Sequence, residues 1–230
     1  MNLPNALTVA RIAVTPLVAW LPFVESWPLR LVAFVIYIAA AVTDYWDGVL
    51  ARRRNLITSL GAQLDPLADK LLLLGTFVPM WVLQRPAGDA LARLVGLGAG
   101  AGRFWFELPG PVHVSLPWWV IAIVLGREAF MTAFRTAAAR RGTVISAIGP
   151  AKWKTGFQMT WIGAAYFWFF AHTLAAREGW LELTPWIVFA WFNGIVGAVT
   201  MVVSVALTVY SLWLYLRRYG YVFRGARTGA

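Results

Sequence analysis

Between Thr43 and Lys70 the chain reads TDYWDGVLARRRNLITSLGAQLDPLADK. Asp44, Asp47, Asp65 and Asp69 supply four of the ten acidic residues in the sequence, and strongly apolar runs flank them. A carboxylate in such surroundings is costly unless it is solvated, paired or metal-bound, so the cluster marks a candidate site. Asp44, Asp47, Gly48, Ala51 and Arg52 recur at i, i+3, i+4, i+7 and i+8, which is one face of an α-helix. Asp65 and Asp69 stand at i and i+4, again one face. The basic connector RRRNLITS is short enough to make the two helices antiparallel neighbours and to bring both carboxylate pairs together. Like charges so close need cations, and all-oxygen ligands suit Mg²⁺, Mn²⁺ or Ca²⁺ rather than zinc. Two such ions would serve displacement at phosphorus, one on each side of the bond being exchanged. Gly48 and Ala51 leave the helix bare beside the carboxylates, where a flat or bulky ligand group can approach the backbone.

The run Asp44-x2-Asp47-Gly48-x2-Ala51-Arg52-x8-Gly61-x3-Asp65-x3-Asp69 resembles the signature of the CDP-alcohol phosphotransferases at all eight fixed positions. That family cleaves the pyrophosphate of a CDP-linked donor, joins the phosphatidyl or phospho-alcohol group to an acceptor hydroxyl, and releases CMP. The resemblance implies that Asp44, Asp47 and Asp65 hold two divalent ions, Mg²⁺ or Mn²⁺. It implies that Asp69 completes the metal site and is the catalytic base on the acceptor hydroxyl. Gly48, Ala51, Arg52 and Gly61 would shape the cytidine-diphosphate pocket, with Asp44 and Thr58 as further donor contacts. Asn5 and Thr8, one turn apart, could cap a helix or line a pocket. Asn/Asp-x2-Thr pairs lie near the nucleotide in the resembled family, which would make both residues donor contacts.

A second informative stretch, from Gly126 to Gln158, reads GREAFMTAFRTAAARRGTVISAIGPAKWKTGFQ. Arg127, Glu128 and Arg135 fall in or near an apolar helix, and Lys152, Lys154 and Thr155 open the next. Basic groups converging with a helix N-terminus suit a phosphate-bearing acceptor. The order Arg-Glu, Thr-x2-Arg, Gly-x-Val-Ile, Lys-x-Lys-Thr-x2-Gln is similar to one subfamily, the phosphatidylglycerophosphate synthases. The opening MNLPN-x-LT-x2-R and the LDPLADK run agree with it. This resemblance implies CDP-diacylglycerol as donor and sn-glycerol 3-phosphate as acceptor. It places Arg127, Arg135, Lys152 and Lys154 on the acceptor phosphate, in a homodimer among membrane lipids. The same chemistry on phosphatidylglycerol (a cardiolipin synthase) or on inositol phosphate is the nearest alternative. A polytopic cation transporter is the alternative from another class, although its carboxylates would usually sit near the bilayer midplane.

The elements that must position these groups are membrane helices. The sequence is 60% hydrophobic with fourteen tryptophans, and a mean hydropathy of +0.66 excludes an ordinary soluble globule. It has no cysteine, hence no disulfide or thiolate metal site. The net charge of +10 suits an anionic membrane surface or anionic substrates, and nucleic acid fits poorly with so apolar a chain. The opening residues carry no cation before Arg11 and no small-x-small cleavage site, which argues against a cleavable signal peptide. Residues 1–230 are expected to form one all-α polytopic membrane domain, six transmembrane helices around a cytosol-facing di-metal site. The expected spans are Val9–Val24, Leu29–Arg52, from residues 58–61 to Leu83, Trp118–Ala139, Trp153–Ala176 and Pro185–Tyr215. The last exceeds the roughly 20 residues that a bilayer needs. Pro66 is expected in the opening turns of the third, where its missing N–H is tolerated. Segment 84–117, with Phe104, Trp105 and Phe106, reads as an extended outer loop, and His113 and His172 as lone outer histidines. Arg52–Arg54, Arg140, Arg141, Lys152, Lys154, Arg217, Arg218, Arg224 and Arg227 fall on the side of the Asp cluster. The loops on the opposite side are expected to hold Arg30, Arg85, Arg93, Arg103 and Arg177. The positive-inside rule therefore puts the cluster and both termini in the cytoplasm of a bacterial cell membrane.

Overall fold

Backbone polar groups in hydrocarbon must be satisfied within their own segment, and the long apolar runs of this chain do so as helices. The computed structural model describes residues 3–53, 59–85, 89–94, 106–146 and 149–222. Its elements are α1 (Leu3–Trp20), α2 (Trp27–Arg53), α3 (Ser59–Leu83), a short α4 (Ala90–Leu94), β1 (Phe106–Glu107), β2 (His113–Val114), α5 (Trp118–Arg140), α6 (Gly149–Glu178) and α7 (Thr184–Tyr219). The six long helices correspond to the six expected spans, and the fold is that of an all-α polytopic membrane protein. α1, α2, α3 and α7 are long and apolar enough to cross a membrane on composition alone. α5 and α6 are not among them. α5 carries Arg127, Glu128 and Arg135, and α6 opens with two lysines and holds three tryptophans, a tyrosine and a histidine. Much of α6 is covered by protein: Trp161, Tyr166 and Trp168 are fully buried.

α6 packs against α7 and α2, and α1 packs against both α2 and α3, so α1 takes the place expected for a direct α2–α3 pairing. Tyr166 ties α6 to α1 and α3. Its hydroxyl donates to the carbonyls of Val18 (3.0 Å) and Gly75 (3.3 Å), and its ring stacks on Tyr37 with centroids 5.3 Å apart. A buried tyrosine needs such an acceptor to offset the lost hydration of its hydroxyl. At Gly75 an added Cβ would stand 3.0 Å from Thr15 Cγ2, so the absence of a side chain there lets α1 lie close along α3. That approach sets the polar face of α1 against the carboxylates of α3.

The structure corrects four further expectations. α1 starts at Leu3, six residues before Val9, so Asn5 and Thr8 lie within the helix rather than ahead of it. Pro66 is the eighth residue of α3, not one of its opening turns, and costs the helix an interior hydrogen bond. Arg30 is no loop cation: it is buried in the first turn of α2 and donates Nε to the Pro22 carbonyl (3.0 Å) and Nη1 to Thr173. In segment 84–117 the described residues form a docked structure rather than a bare loop. β1 and β2 pair antiparallel with Phe106 opposite Val114 and Glu107 opposite His113, and Gln84 clasps the backbone of Leu116. The hairpin lies on α7 at Gly194 and Gly197, where an added Cβ would fall 1.7 Å from the Glu107 carbonyl oxygen and 2.0 Å from the Phe106 ring. Phe104 and Trp105 lie outside the described residues. His172 packs between the rings of Trp168 (5.3 Å) and Trp186 (6.2 Å), the place of a core residue.

Candidate active site

Asn5, Thr8, Arg11 and Thr15 recur at three- and four-residue intervals and are all buried, forming one polar face on an apolar helix. The expected span, begun at the apolar run from Val9, left out Asn5 and Thr8, although the stretch from Asn5 onward is apolar enough to cross a membrane. Thr8 Oγ1 donates to Asp65 Oδ1 at 2.7 Å. Arg11 Nη1 lies 2.6 Å from Asp44 Oδ1 and 3.3 Å from Asp69 Oδ1. One guanidinium thus joins a carboxylate of α2 to one of α3 and offsets part of their repulsion. The side chains of Asp44 and Asp69 keep 30% and 55% of their surface open, so each can still meet a ligand. Asp65 is exposed, and Gly61 is buried in the first turn of α3. Asp47, Gly48, Ala51 and Arg52 fall on the last turns of α2, where only the backbone is described, and Thr58 lies outside the described residues.

The donor set at this end is all oxygen, with several negative charges, and its chemistry fits a hard divalent cation. Among the described residues no three carboxylates form a complete metal cage. Asp44 and Asp69 meet at Arg11, and Asp65 is held by Thr8 one turn away along α3.

On the facing helices, Glu128 of α5 accepts from Arg127 Nη1 at 2.9 Å and from Lys154 Nζ of α6. Arg127 Nη2 reaches Ser211 Oγ at 3.2 Å. Both cations are buried, so Glu128 supplies the countercharge that burial demands. A cavity of about 110 Å³ joins this group to the carboxylates: Asp44 and Asp69 line one part, and Glu128, Lys154, Thr155 and Gln158 another. Tyr37, Leu72 and Ile162 make its apolar wall.

The four cations expected on an acceptor phosphate are not equally placed. Lys154 lines the cavity and Arg127 stands behind it through Glu128. Lys152 is exposed and, two residues from Lys154, leaves α6 on a different side. Arg135 is exposed and donates Nη2 to Tyr215 Oη at 3.2 Å; neither it nor Lys152 lines the cavity. Three residues here escaped the sequence-based site: Arg11, Glu128 and Gln158. The i, i+3, i+7 spacing of Thr8, Arg11 and Thr15 could have exposed the first. The i, i+4 spacing of Lys154 and Gln158 could have exposed the last.

The CDP-alcohol phosphatidyltransferase family model matches residues 1–210. The chain is 34% identical over 225 residues to "CDP-diacylglycerol--glycerol-3-phosphate 3-phosphatidyltransferase 1, chloroplastic/mitochondrial" of Arabidopsis thaliana, covering 95% of this chain and 62% of that protein. It is 33% identical over 222 residues to "Cardiolipin synthase (CMP-forming)" of Oryza sativa subsp. japonica, covering 95% of this chain and 57% of that protein. To "Probable phosphatidylglycerophosphate synthase" of Mycobacterium tuberculosis it is 35% identical over 165 residues, covering 70% of this chain and 64% of that protein. The chain therefore spans roughly three fifths of the length of these relatives. Members of the matched family are generally dependent on a divalent metal. On the family match along its length, the chain belongs to the CDP-alcohol phosphatidyltransferases.

Proposed function

We propose that this protein transfers a phosphatidyl group from CDP-diacylglycerol to sn-glycerol 3-phosphate, giving phosphatidylglycerophosphate and CMP. The observation that carries the reading is the cavity that joins Asp44 and Asp69 to Lys154. It places carboxylates suited to pyrophosphate chemistry beside a cation suited to an acceptor phosphate. Asp44, Asp65 and Asp69, with Asp47, would hold two Mg²⁺ or Mn²⁺ ions, which when bound polarise the reacting phosphorus and stabilise the leaving CMP. Asp69 takes the proton of the acceptor's primary hydroxyl. The new bond joins that oxygen to the phosphorus bearing diacylglycerol, the pyrophosphate bond breaks, and its electrons leave on CMP. The described side chains of the cavity include no activated nucleophile, which supports direct attack over a phosphatidyl-enzyme. Lys154 holds the acceptor phosphate, with Arg127 in support and with Arg135 and Lys152 as further cations at the same ends of α5 and α6. Asn5, Thr8, Gly48, Ala51, Arg52, Thr58 and Gly61 serve the donor side.

A second reading, phosphatidylglycerol as acceptor, is favoured by the similarity to the rice cardiolipin synthase. The compact cavity beside a buried lysine speaks for the smaller acceptor. The exposed cations Arg140, Arg141, Lys152, Arg217 and Arg218 support a cytoplasmic site in a bacterial inner membrane, and we take the working unit as a homodimer. The test is product identification: purified protein in nanodiscs, given CDP-diacylglycerol, glycerol 3-phosphate and Mg²⁺, with lipids resolved by mass spectrometry. Phosphatidylglycerophosphate is the expected product; cardiolipin formed from added phosphatidylglycerol in its place would select the second reading.

A further inference from the structure

Gln158 is 4% exposed and lines the cavity one helical turn from Lys154, so both side chains leave α6 on the same face. Its Oε1 is fully buried and, among the described residues, has no hydrogen-bond partner. A buried acceptor left without a donor is costly, and in native proteins such an atom is usually satisfied by a ligand or a water. Its neighbours in the cavity do not meet the need: the Lys154 ammonium donates to Glu128, and the Tyr37 hydroxyl donates to the Met159 carbonyl at 3.0 Å. Gln158 lines the same cavity as Lys154 and Asp69, the groups proposed for the acceptor's phosphate and its nucleophilic hydroxyl.

We propose that Gln158 is a specificity-determining residue that accepts a hydrogen bond from a secondary hydroxyl on the acceptor, so that the site selects a polyol phosphate over a simple alkanol phosphate. The inference rests on the acceptor reading above and deepens it. The phosphate selects for charge at Lys154, Asp69 serves the nucleophilic hydroxyl, and Gln158 reads the hydroxyl between them. A site built around a buried acceptor discriminates because an acceptor lacking that hydroxyl leaves Oε1 unpaired after displacing any water that served it.

The experiment compares kcat/KM for sn-glycerol 3-phosphate and for 3-hydroxypropyl phosphate, which keeps the phosphate and the primary hydroxyl and lacks only the secondary one. Wild-type protein is expected to prefer glycerol 3-phosphate by about tenfold or more. Gln158→Leu and Gln158→Met, which keep the volume and remove the acceptor, should lose that preference, with the loss falling on glycerol 3-phosphate. The KM for CDP-diacylglycerol should not follow it, a split that a general structural defect would not give. Equal use of the two acceptors by wild-type protein overturns the inference even if neither variant folds. So does a folded variant that keeps the wild-type preference. Turnover of neither acceptor, with CMP still released to phosphatidylglycerol, removes the acceptor reading and the inference together, a result distinct from equal turnover.

Discussion

The hydroxyl of Thr8 lies 2.7 Å from Oδ1 of Asp65, a contact across 57 residues of sequence that fixes the start of α1 against the start of α3. A hydrogen bond to a charged carboxylate contributes about 1.5–3 kcal/mol net, and here it orients a proposed metal ligand. Thr8→Val keeps the shape and removes the donor. It should lower kcat/KM by roughly ten- to a hundredfold and raise the Mg²⁺ concentration needed for half-maximal rate. Thr8→Ser should recover most of the loss. A Val variant with wild-type metal dependence would show that Asp65 needs no such support.

Asp44→Asn, Asp65→Asn and Asp69→Asn should each remove nearly all activity while the protein still inserts and folds. Each substitution removes charge and coordination, and losing one metal contact costs several kcal/mol in the transition state. Arg11 gives the opposite sign for stability. It is buried against Asp44 and Asp69, so Arg11→Met should lower the thermal stability of chelator-treated protein, and Mn²⁺ should restore it by replacing the lost positive charge. Thermal unfolding with and without Mn²⁺ measures both effects. An Arg11→Met protein that is equally stable in both conditions would contradict the electrostatic account.

Glu128 faces two buried cations at once, and removing one partner of a buried pair leaves a charge uncompensated at a cost of about 3–5 kcal/mol. Glu128→Gln should therefore destabilise the protein strongly. Adding Lys154→Met should return part of that loss, because the stranded charge leaves with the lysine. A double-mutant cycle in detergent measures the coupling. Strict additivity would mean that the observed pair carries no energy.

At the other end, the Phe106–Val114 hairpin seats in a groove left by Gly194 and Gly197. Gly197→Ala should expel it, since the new Cβ falls 2.0 Å from the Phe106 ring, at an overpacking cost of about 1–3 kcal/mol. Burial holds the Glu107 carboxyl above the ordinary glutamate range, with His113 across the strand pair pulling the other way. A carboxyl raised in the folded state stabilises that state while protonated. Docking should therefore be strongest below the ordinary glutamate value and weaken as pH rises through the raised one. Limited proteolysis of the hairpin between about pH 4 and pH 7 should show cleavage rising with pH, and Glu107→Gln should flatten the profile. A profile that Glu107→Gln leaves intact would assign the pH response to another group.

The one-face spacing of Asp65 and Asp69 on α3, and the place of Asp44 near the end of α2, were legible from the helical period; that α1 packs against both helices and joins Asp44 to Asp69 through Arg11 was not. The start of α1 was missed, because Asn5 and Thr8 are polar residues buried by tertiary packing and the expected span began at the apolar run after them. Lys154 was expected on the acceptor phosphate, but nothing in the sequence set it apart from Lys152 and Arg135, which are exposed. Its burial depends on Glu128, 26 residues earlier, and no local signal reports such a partner. Gly194 and Gly197 read as ordinary small residues of a membrane helix until the hairpin they receive is in place. The metal ligand expected at Asp47 and the donor contacts expected at Gly48, Ala51, Arg52 and Thr58 have side chains outside the described residues, and those roles are proposals.

CMP release from CDP-diacylglycerol by the purified protein, measured with a panel of acceptors and with and without chelator, tests the central claim most directly. Release should need a divalent ion, should depend on added sn-glycerol 3-phosphate, and should be slow with phosphatidylglycerol or inositol phosphate. Rapid metal-dependent release with phosphatidylglycerol and none with glycerol 3-phosphate would contradict the acceptor assignment, and release that survives chelation would contradict the carboxylate site itself.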